Sequence, residues 1–173
     1  SAEIGTENVQ LKDMQKLPSL FGERDIIRSL QLLPGVKAES DASSGFQVRG
    51  GTTGQNNILL DDATVYNAGH LMGLFSTFND AVLASANLYK GTPPAQFGGG
   101  TSSVLNVVTK KAQPKFSLAG TVGILSAKLS ADIPISKKIA AFVAARRTYF
   151  DVFLKLIKKY RGTTMNFYDI NAQ

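Results

Sequence analysis

The sequence predicts an α+β fold: a small domain of short strands and short helices to about Gln113, then a block of antiparallel strands. Three observations predict it. Short apolar runs are punctuated by glycine and proline up to Lys111. One helix-period stripe stands among them, between Glu23 and Leu33. After Pro114 the pattern changes to sustained two-residue alternation. At 173 residues with 43% apolar content the chain has enough material for a core, and its 16 glycines favour turns and strands over long helices.

Taken in order, Asn8–Leu11 is an edge-strand candidate. Ile26, Ile27, Leu30 and Leu33 share one helical face, Asp25 suits the helix start, and Pro34-Gly35 stops the helix. Gly45–Asn67 holds three strand-like runs: Phe46–Arg49, Ile58–Leu60 and Ala63–Tyr66. Asp61-Asp62 is the two-residue turn between the last two. Thr52–Asn57 reads as a polar loop, Ala68–Asn79 as a loop or short helix, and Asp80–Ala86 as a helical turn. Asn87–Lys90 is strand-like, Thr92–Gly100 is a loop, and Ser103–Thr109 is a valine-rich strand. Arg49 sits between a strand and Gly50-Gly51, so the local pattern fits either a solvated strand end or a cation held at a fixed place.

Beyond Pro114, Phe116, Leu118, Val122 and Ile124 fall on one face of a strand, and Ala127–Ile133 alternates against Ser126–Asp132. Ile139–Thr148 and Phe167–Gln173 supply a third and a fourth strand. This alternation matches an outer-membrane barrel and equally an ordinary antiparallel sheet with one wet face. Tyr149–Arg161 carries a helical apolar stripe of Phe150, Phe153, Leu154 and Ile157 with lysines off it, an amphipathic helix over 149–161.

Several chemistries have no support. With no cysteine there is no disulfide or thiolate site, and His70 is the only histidine, so no metal and no cofactor is expected. Adjacent carboxylates on a strand point to opposite faces, so Asp61 and Asp62 are turn residues and not an acid–base pair. No hydrolase, metalloprotease or phosphate-loop motif is present, and no enzyme is expected. The net charge of +6 permits an anionic partner, but Lys110-Lys111 lacks the aromatic interleaving of a nucleic-acid site.

The segments Leu32-Leu33-Pro34-Gly35-Val36, Phe46-Gln47-Val48-Arg49-Gly50-Gly51, Ile58-Leu59-Leu60-Asp61-Asp62, Val65-Tyr66-Asn67, Leu88-Tyr89-Lys90-Gly91, Gln96-Phe97-Gly98-Gly99 and Ser103–Lys111 come in a fixed order. As a set, Leu17–Lys111 resembles the plug domain of a TonB-dependent outer-membrane receptor. The part from Phe116 resembles the first barrel strands of such receptors in a Bacteroidetes-like group, with Arg146-Arg147-Thr148-Tyr149 and Phe167–Asn171 as matching pieces. The resemblance implies a small mixed-sheet plug domain with short helices over 1–113, with Gly45–Asn67 at the centre of its sheet, followed over 114–173 by antiparallel β-strands of an incomplete outer-membrane β-barrel.

The resemblance also implies a role: gating the import of a scarce extracellular nutrient of unknown class, in the outer membrane of a Gram-negative cell, on energisation by TonB. Arg49 would then lock the plug to barrel carboxylates. Lys90, before Gly91-Thr92-Pro93, would be a second lock cation without arginine's bidentate fork. Tyr66, Asn67 and His70 would face ligand, on the loops Ser40–Ser44, Thr52–Asn56 and Asn67–Gly73. Its partners would be the rest of the barrel, lipid, TonB and the nutrient, with no nucleic acid among them. Four strands cannot close a barrel, so they are expected to hide their edges by pairing among themselves or with another copy. The rival is a soluble or surface binding or adhesion module, told apart by whether the whole protein needs detergent.

Overall fold

The computed structural model describes residues 5–10, 25–40, 45–70, 75–91, 93–98, 102–149 and 166–173. Chain contacts divide it into two compact units, one over Arg24–Lys110 with the N-terminal residues, the other mainly Lys111–Gln173.

The first unit is built on a five-stranded mixed sheet. Its strands are β1 (Thr6–Gln10), β4 (Asn56–Leu60), β5 (Ala63–Thr64), β8 (Leu83–Lys90) and β9 (Ser103–Thr109), in the order β1-β8-β9-β4-β5. β9 is central, antiparallel to β8 and parallel to β4. A central strand is covered on both faces, and Val104, Leu105 and Val107 are all fully buried. The short helix α1 (Ile26–Leu30) buries Ile26, Ile27 and Leu30 against Leu88, Leu105 and Val107. Two small sheets complete the unit: β2 (Val36–Ala38) with β3 (Phe46–Val48), and β6 (Gly69–His70) with β7 (Phe75–Ser76).

The helix is shorter than its apolar stripe. Asp25 has extended backbone and caps it, accepting from Ile27 N at 2.8 Å, while its other oxygen accepts from Ser76 N at 2.7 Å. At the far end Leu33 N reaches only back to Leu30 O, at 3.0 Å. Pro34 bars the helical conformation at the residue before it, so the chain tightens into a turn after Leu30.

Three other expectations are corrected. Phe46–Val48 is not in the main sheet: it pairs with β2, and the centre belongs to β9. Part of Ala68–Asn79 forms the β6–β7 pair instead of a loop or short helix. Leu83–Ala86 is strand, because β8 gains ladders on both sides, to β1 and β9, and these outweigh the helix propensity of an alanine-rich run. β1 does lie on the sheet edge, as read from Asn8–Leu11.

The second unit is a four-stranded antiparallel sheet, β10 (Ser117–Val122), β11 (Ser126–Pro134), β12 (Ala140–Thr148) and β13 (Tyr168–Ala172), in sequence order and open at β10 and β13 among the described residues. One face is apolar and exposed, the other covered and mixed. Leu118, Leu129 and Ile170 are 63%, 55% and 72% exposed, while Asp132 and Arg146, at 6% and 4%, are covered beside Phe142 and Ala144, at 1% each. The helix expected over 149–161 lies outside the described residues apart from Tyr149.

Candidate functional site

Four chain segments converge on the two cations singled out by the sequence. Arg49 does not continue β3. Its φ is +49°, and its N–H donates to Gly35 O at 3.0 Å, which turns the side chain away from the strand direction. The exposed guanidinium lies against two glycines. A Cβ on Gly91 would sit 2.9 Å from Arg49 Nη1, and one on Gly5 would sit 3.6 Å from Nη2 and 3.0 Å from the Lys90 carbonyl. Both glycines have positive φ, 115° and 90°, so glycine is needed there for backbone shape and for clearance.

Lys90 is 7% exposed and points inward. Its Nζ donates to Glu7 Oε1 at 3.1 Å and to Pro34 O at 3.0 Å, and its N–H donates to Gly5 O at 2.7 Å. The structure therefore brings Arg49 and Lys90 together through Gly91 but gives them different surroundings. Lys90 is satisfied within its own unit and ties β1 to the turn after α1. Arg49 has no carboxylate within ion-pair distance among the described residues. Sequence reasoning missed Gly5, Glu7 and Gly91 as parts of this knot. Glycines beside a predicted strand end were the available signal; Glu7 left none, because the contact joins residues 83 positions apart.

Tyr66 and Asn67 lie elsewhere, on the stretch leaving β5. Tyr66 is 97% exposed, and Asn67 Oδ1 accepts from Gly69 N at 3.1 Å. His70 is in β6, while Asp41–Ser44 and Leu71–Gly73 of the expected ligand loops lie outside the described residues. The Asp61-Asp62 turn has positive φ at both positions, 47° and 67°, the geometry of a primed hairpin turn. Asp61 accepts from Thr109 N and Oγ1 at 2.9 and 2.6 Å, and Asp62 from Asn106 Nδ2 at 2.8 Å, so both carboxylates are committed to the sheet. Among the described residues no group of three potential metal ligands occurs.

In the second unit the buried face carries its own polar network. Arg146 Nε and Nη2 both contact Asp169 Oδ2, at 2.8 and 2.6 Å, with the Phe167 ring 5.1 Å from the guanidinium carbon. Asp132 accepts from Ser117 Oγ at 2.7 Å and Gln113 N at 2.9 Å. Tyr149 Oη–H is shared between the carbonyls of Gly123 and Ser126.

The family model of the TonB-dependent Receptor Plug Domain matches residues 4–104. The chain belongs to that family. It is a plug domain, not an enzyme, followed by antiparallel strands that resemble part of a barrel and do not close. No curated protein sequence matches it. Similar solved structures include the siderophore receptor PirA from Pseudomonas aeruginosa, at 19% identity and TM-score 0.60, with 86% of this chain and 29% of that one covered. The ferripyoverdine receptor of the outer membrane of Pseudomonas aeruginosa matches at 19% and 0.61, covering 83% and 20%. The ferric yersiniabactin uptake receptor FyuA from Yersinia pestis matches at 14% and 0.58, covering 83% and 24%. At these identities the likeness is one of fold, and the chain spans less than a third of each receptor's length.

Proposed function

We propose that this chain is the gate of an outer-membrane active transporter in a Gram-negative cell, of the Bacteroidetes-like group. The plug, residues 1–113, fills the lumen of a barrel that begins with the strands of 114–173. It admits an extracellular nutrient to the periplasm when TonB energises the receptor. The observation that carries this reading is the exposed apolar face of β10–β13, backed by buried charged residues, directly after a plug domain. A sheet with Leu118, Leu129 and Ile170 outward and Asp132 and Arg146 inward suits lipid on one side and a wet lumen on the other. A soluble adhesion module would bury those leucines.

In this reading Arg49 is the lock. Its guanidinium is exposed, fixed by its backbone and seated on Gly91 and Gly5, with its fork available for carboxylates on the barrel wall. Lys90 serves the lock from beneath by holding β1 and the Pro34 turn in place around it. Tyr66, Asn67 and His70 face the incoming ligand. TonB acts through a segment outside the described residues. In the absence of the remaining strands, the edges at β10 and β13 pair with another copy.

The test is Arg49→Ala in the whole receptor, read as single-channel conductance in planar bilayers and as sensitivity of cells to a large antibiotic. Both rise if Arg49 is the lock. Unchanged conductance and sensitivity remove it from that role.

A further inference from the structure

We propose that the exposed apolar face of β10–β13 carries a subsite for a phosphate-bearing lipid, with Arg147 on the headgroup phosphate and an acyl chain in a trough over Ala145. The proposal concerns the outside of the wall and so rests on the barrel reading above. Cross-strand pairing arranges this face in rows. One row runs Val122, Ala127, Arg147 and Tyr168, and the next runs Gly120, Leu129, Ala145 and Ile170. Side chains in the second row differ in height: Leu129 and Ile170 stand on either side of Ala145. A Cβ on Gly120 would lie 3.7 Å from Leu129 Cδ1, so Leu129 reclines over Gly120 and leaves Ala145 open. The result is a hollow of about 260 Å³, lined by Ala127, Leu129, Ala145, Arg147, Tyr168 and Ile170.

Arg147 is the cation on this face that lacks an anion. It is exposed, and no carboxylate lies within ion-pair distance of it among the described residues. Its row neighbours Ala127 and Tyr168 cannot neutralise it. Lys128, Arg146 and Asp169 also border the hollow. Successive residues on a strand alternate in face, and Arg146 and Asp169 are bonded to each other on the covered side. A charge facing lipid is costly at the middle of a membrane and cheap near its surface. Arg147 stands one residue from the end of β12, and Tyr168, 75% exposed, opens β13 beside it, an arrangement that fits the aromatic girdle of a barrel. The β12–β13 connection runs over 149–167 and the β11–β12 connection only over 135–139. Long connections of such barrels are extracellular, which assigns Arg147 to the outer leaflet.

The chemistry of the two ends selects the occupant. A guanidinium presents a planar fork of donors that matches two phosphate oxygens at once, and the Tyr168 hydroxyl can donate to the same group. The trough below offers only hydrocarbon, which a chain fills and a soluble anion leaves bare. A zwitterionic headgroup brings its own cation against Arg147 and gains less. A second copy of this chain seated two-fold on the hollow would bring two Arg147 side chains together, and like charges repel.

The experiment uses the whole receptor in detergent micelles, with lipid retained on the protein read by native mass spectrometry. The probes are lipid A, the same lipid with its phosphates removed, phosphatidylcholine and inorganic phosphate. Lipid A is expected to be retained about tenfold better than its dephosphorylated form or phosphatidylcholine, and millimolar inorganic phosphate does not displace it. Arg147→Gln lowers that retention by about tenfold, and Arg147→Lys, which keeps the charge and loses the fork, by about threefold. Ala145→Leu fills the trough and lowers retention by about fivefold with Arg147 intact. Heat-modifiable gel migration confirms that each variant is folded. Four results overturn the proposal: the phosphorylated and dephosphorylated lipids are retained equally, Arg147→Gln changes nothing, inorganic phosphate displaces the lipid, or the receptor is a dimer that Arg147→Gln dissociates. A receptor that is heat-modifiable but shows no preference for phosphate loses the subsite and keeps the barrel. One that shows no heat-modifiable migration loses both.

Discussion

Val104, Leu105 and Val107 in β9 are completely buried, on both faces of the strand, whereas Leu118 in β10, Leu129 in β11 and Ile170 in β13 are more than half exposed. In the first unit the apolar rows meet α1 and each other, as water requires. In the second, the apolar rows of neighbouring strands line up in register: Leu118 with Ala131, Val143 and Ala172; Leu129 with Ala145 and Ile170. They form a continuous face with no protein against it among the described residues. The rows behind them mix Phe142 and Ala144 with polar residues that are bonded, Asp132 to Ser117 and Arg146 to Asp169. Period therefore reports that a strand has two different faces; it does not report which solvent each face meets.

The largest effect that tests this contrast lies in the first unit. Leu105→Ala opens a cavity at the crossing of β9 and α1, and is expected to lower plug stability by about 2–5 kcal/mol. The readout is the urea dependence of amide-exchange protection in β8 and β9 of the whole receptor. A loss well under 1 kcal/mol, on the scale of a surface change, removes β9 from the centre of the core. The mirror substitution is Leu129→Lys on the outward face of β11. It leaves plug protection unchanged and destabilises the membrane-inserted form by up to about 2–4 kcal/mol, according to depth. Heat-modifiable gel migration and urea unfolding in lipid vesicles check it. Should Leu129→Lys be neutral in vesicles and damaging in water, the polarity assigned to the second unit is reversed.

Most strands were legible in the sequence because their alternation is local: Ser103–Thr109 and the four strands after Pro114 lie close to where the pattern puts them. Leu83–Ala86 was not, since its local composition favours helix and only the partners β1 and β9, both distant in sequence, make it strand. The helix end was misjudged for a local reason, the reach of Pro34 back over Leu33. Arg49 was visible as a cation beside a double glycine. Its seat was not, because Gly5 and Gly91 meet it only once β1 and β8 are paired. The Asp61-Asp62 turn was placed correctly, but what lets two non-glycine residues hold positive φ is the clamp from Thr109 and Asn106, on another strand.

The smallest effect concerns the inward face of the second unit and sharpens the contrast from the other side. Arg146 is 3% exposed at its side chain and Asp169 is 17% exposed, so the pair is shielded but not sealed. Arg146→Met leaves the Asp169 carboxylate without its two charge-assisted contacts and removes the guanidinium from the Phe167 ring. Partial hydration of Asp169 limits the expected loss to about 1–3 kcal/mol, below that of a fully buried pair. Arg146→Met combined with Asp169→Leu removes both charges together. If the inward row needed polarity only to satisfy its own members, the double variant returns to within about 1 kcal/mol of the parent. Urea unfolding of the four variants in one detergent gives the coupling. A double variant no better than Arg146→Met alone means that the row's polarity is required by what it faces, water or plug, and not by the pair itself.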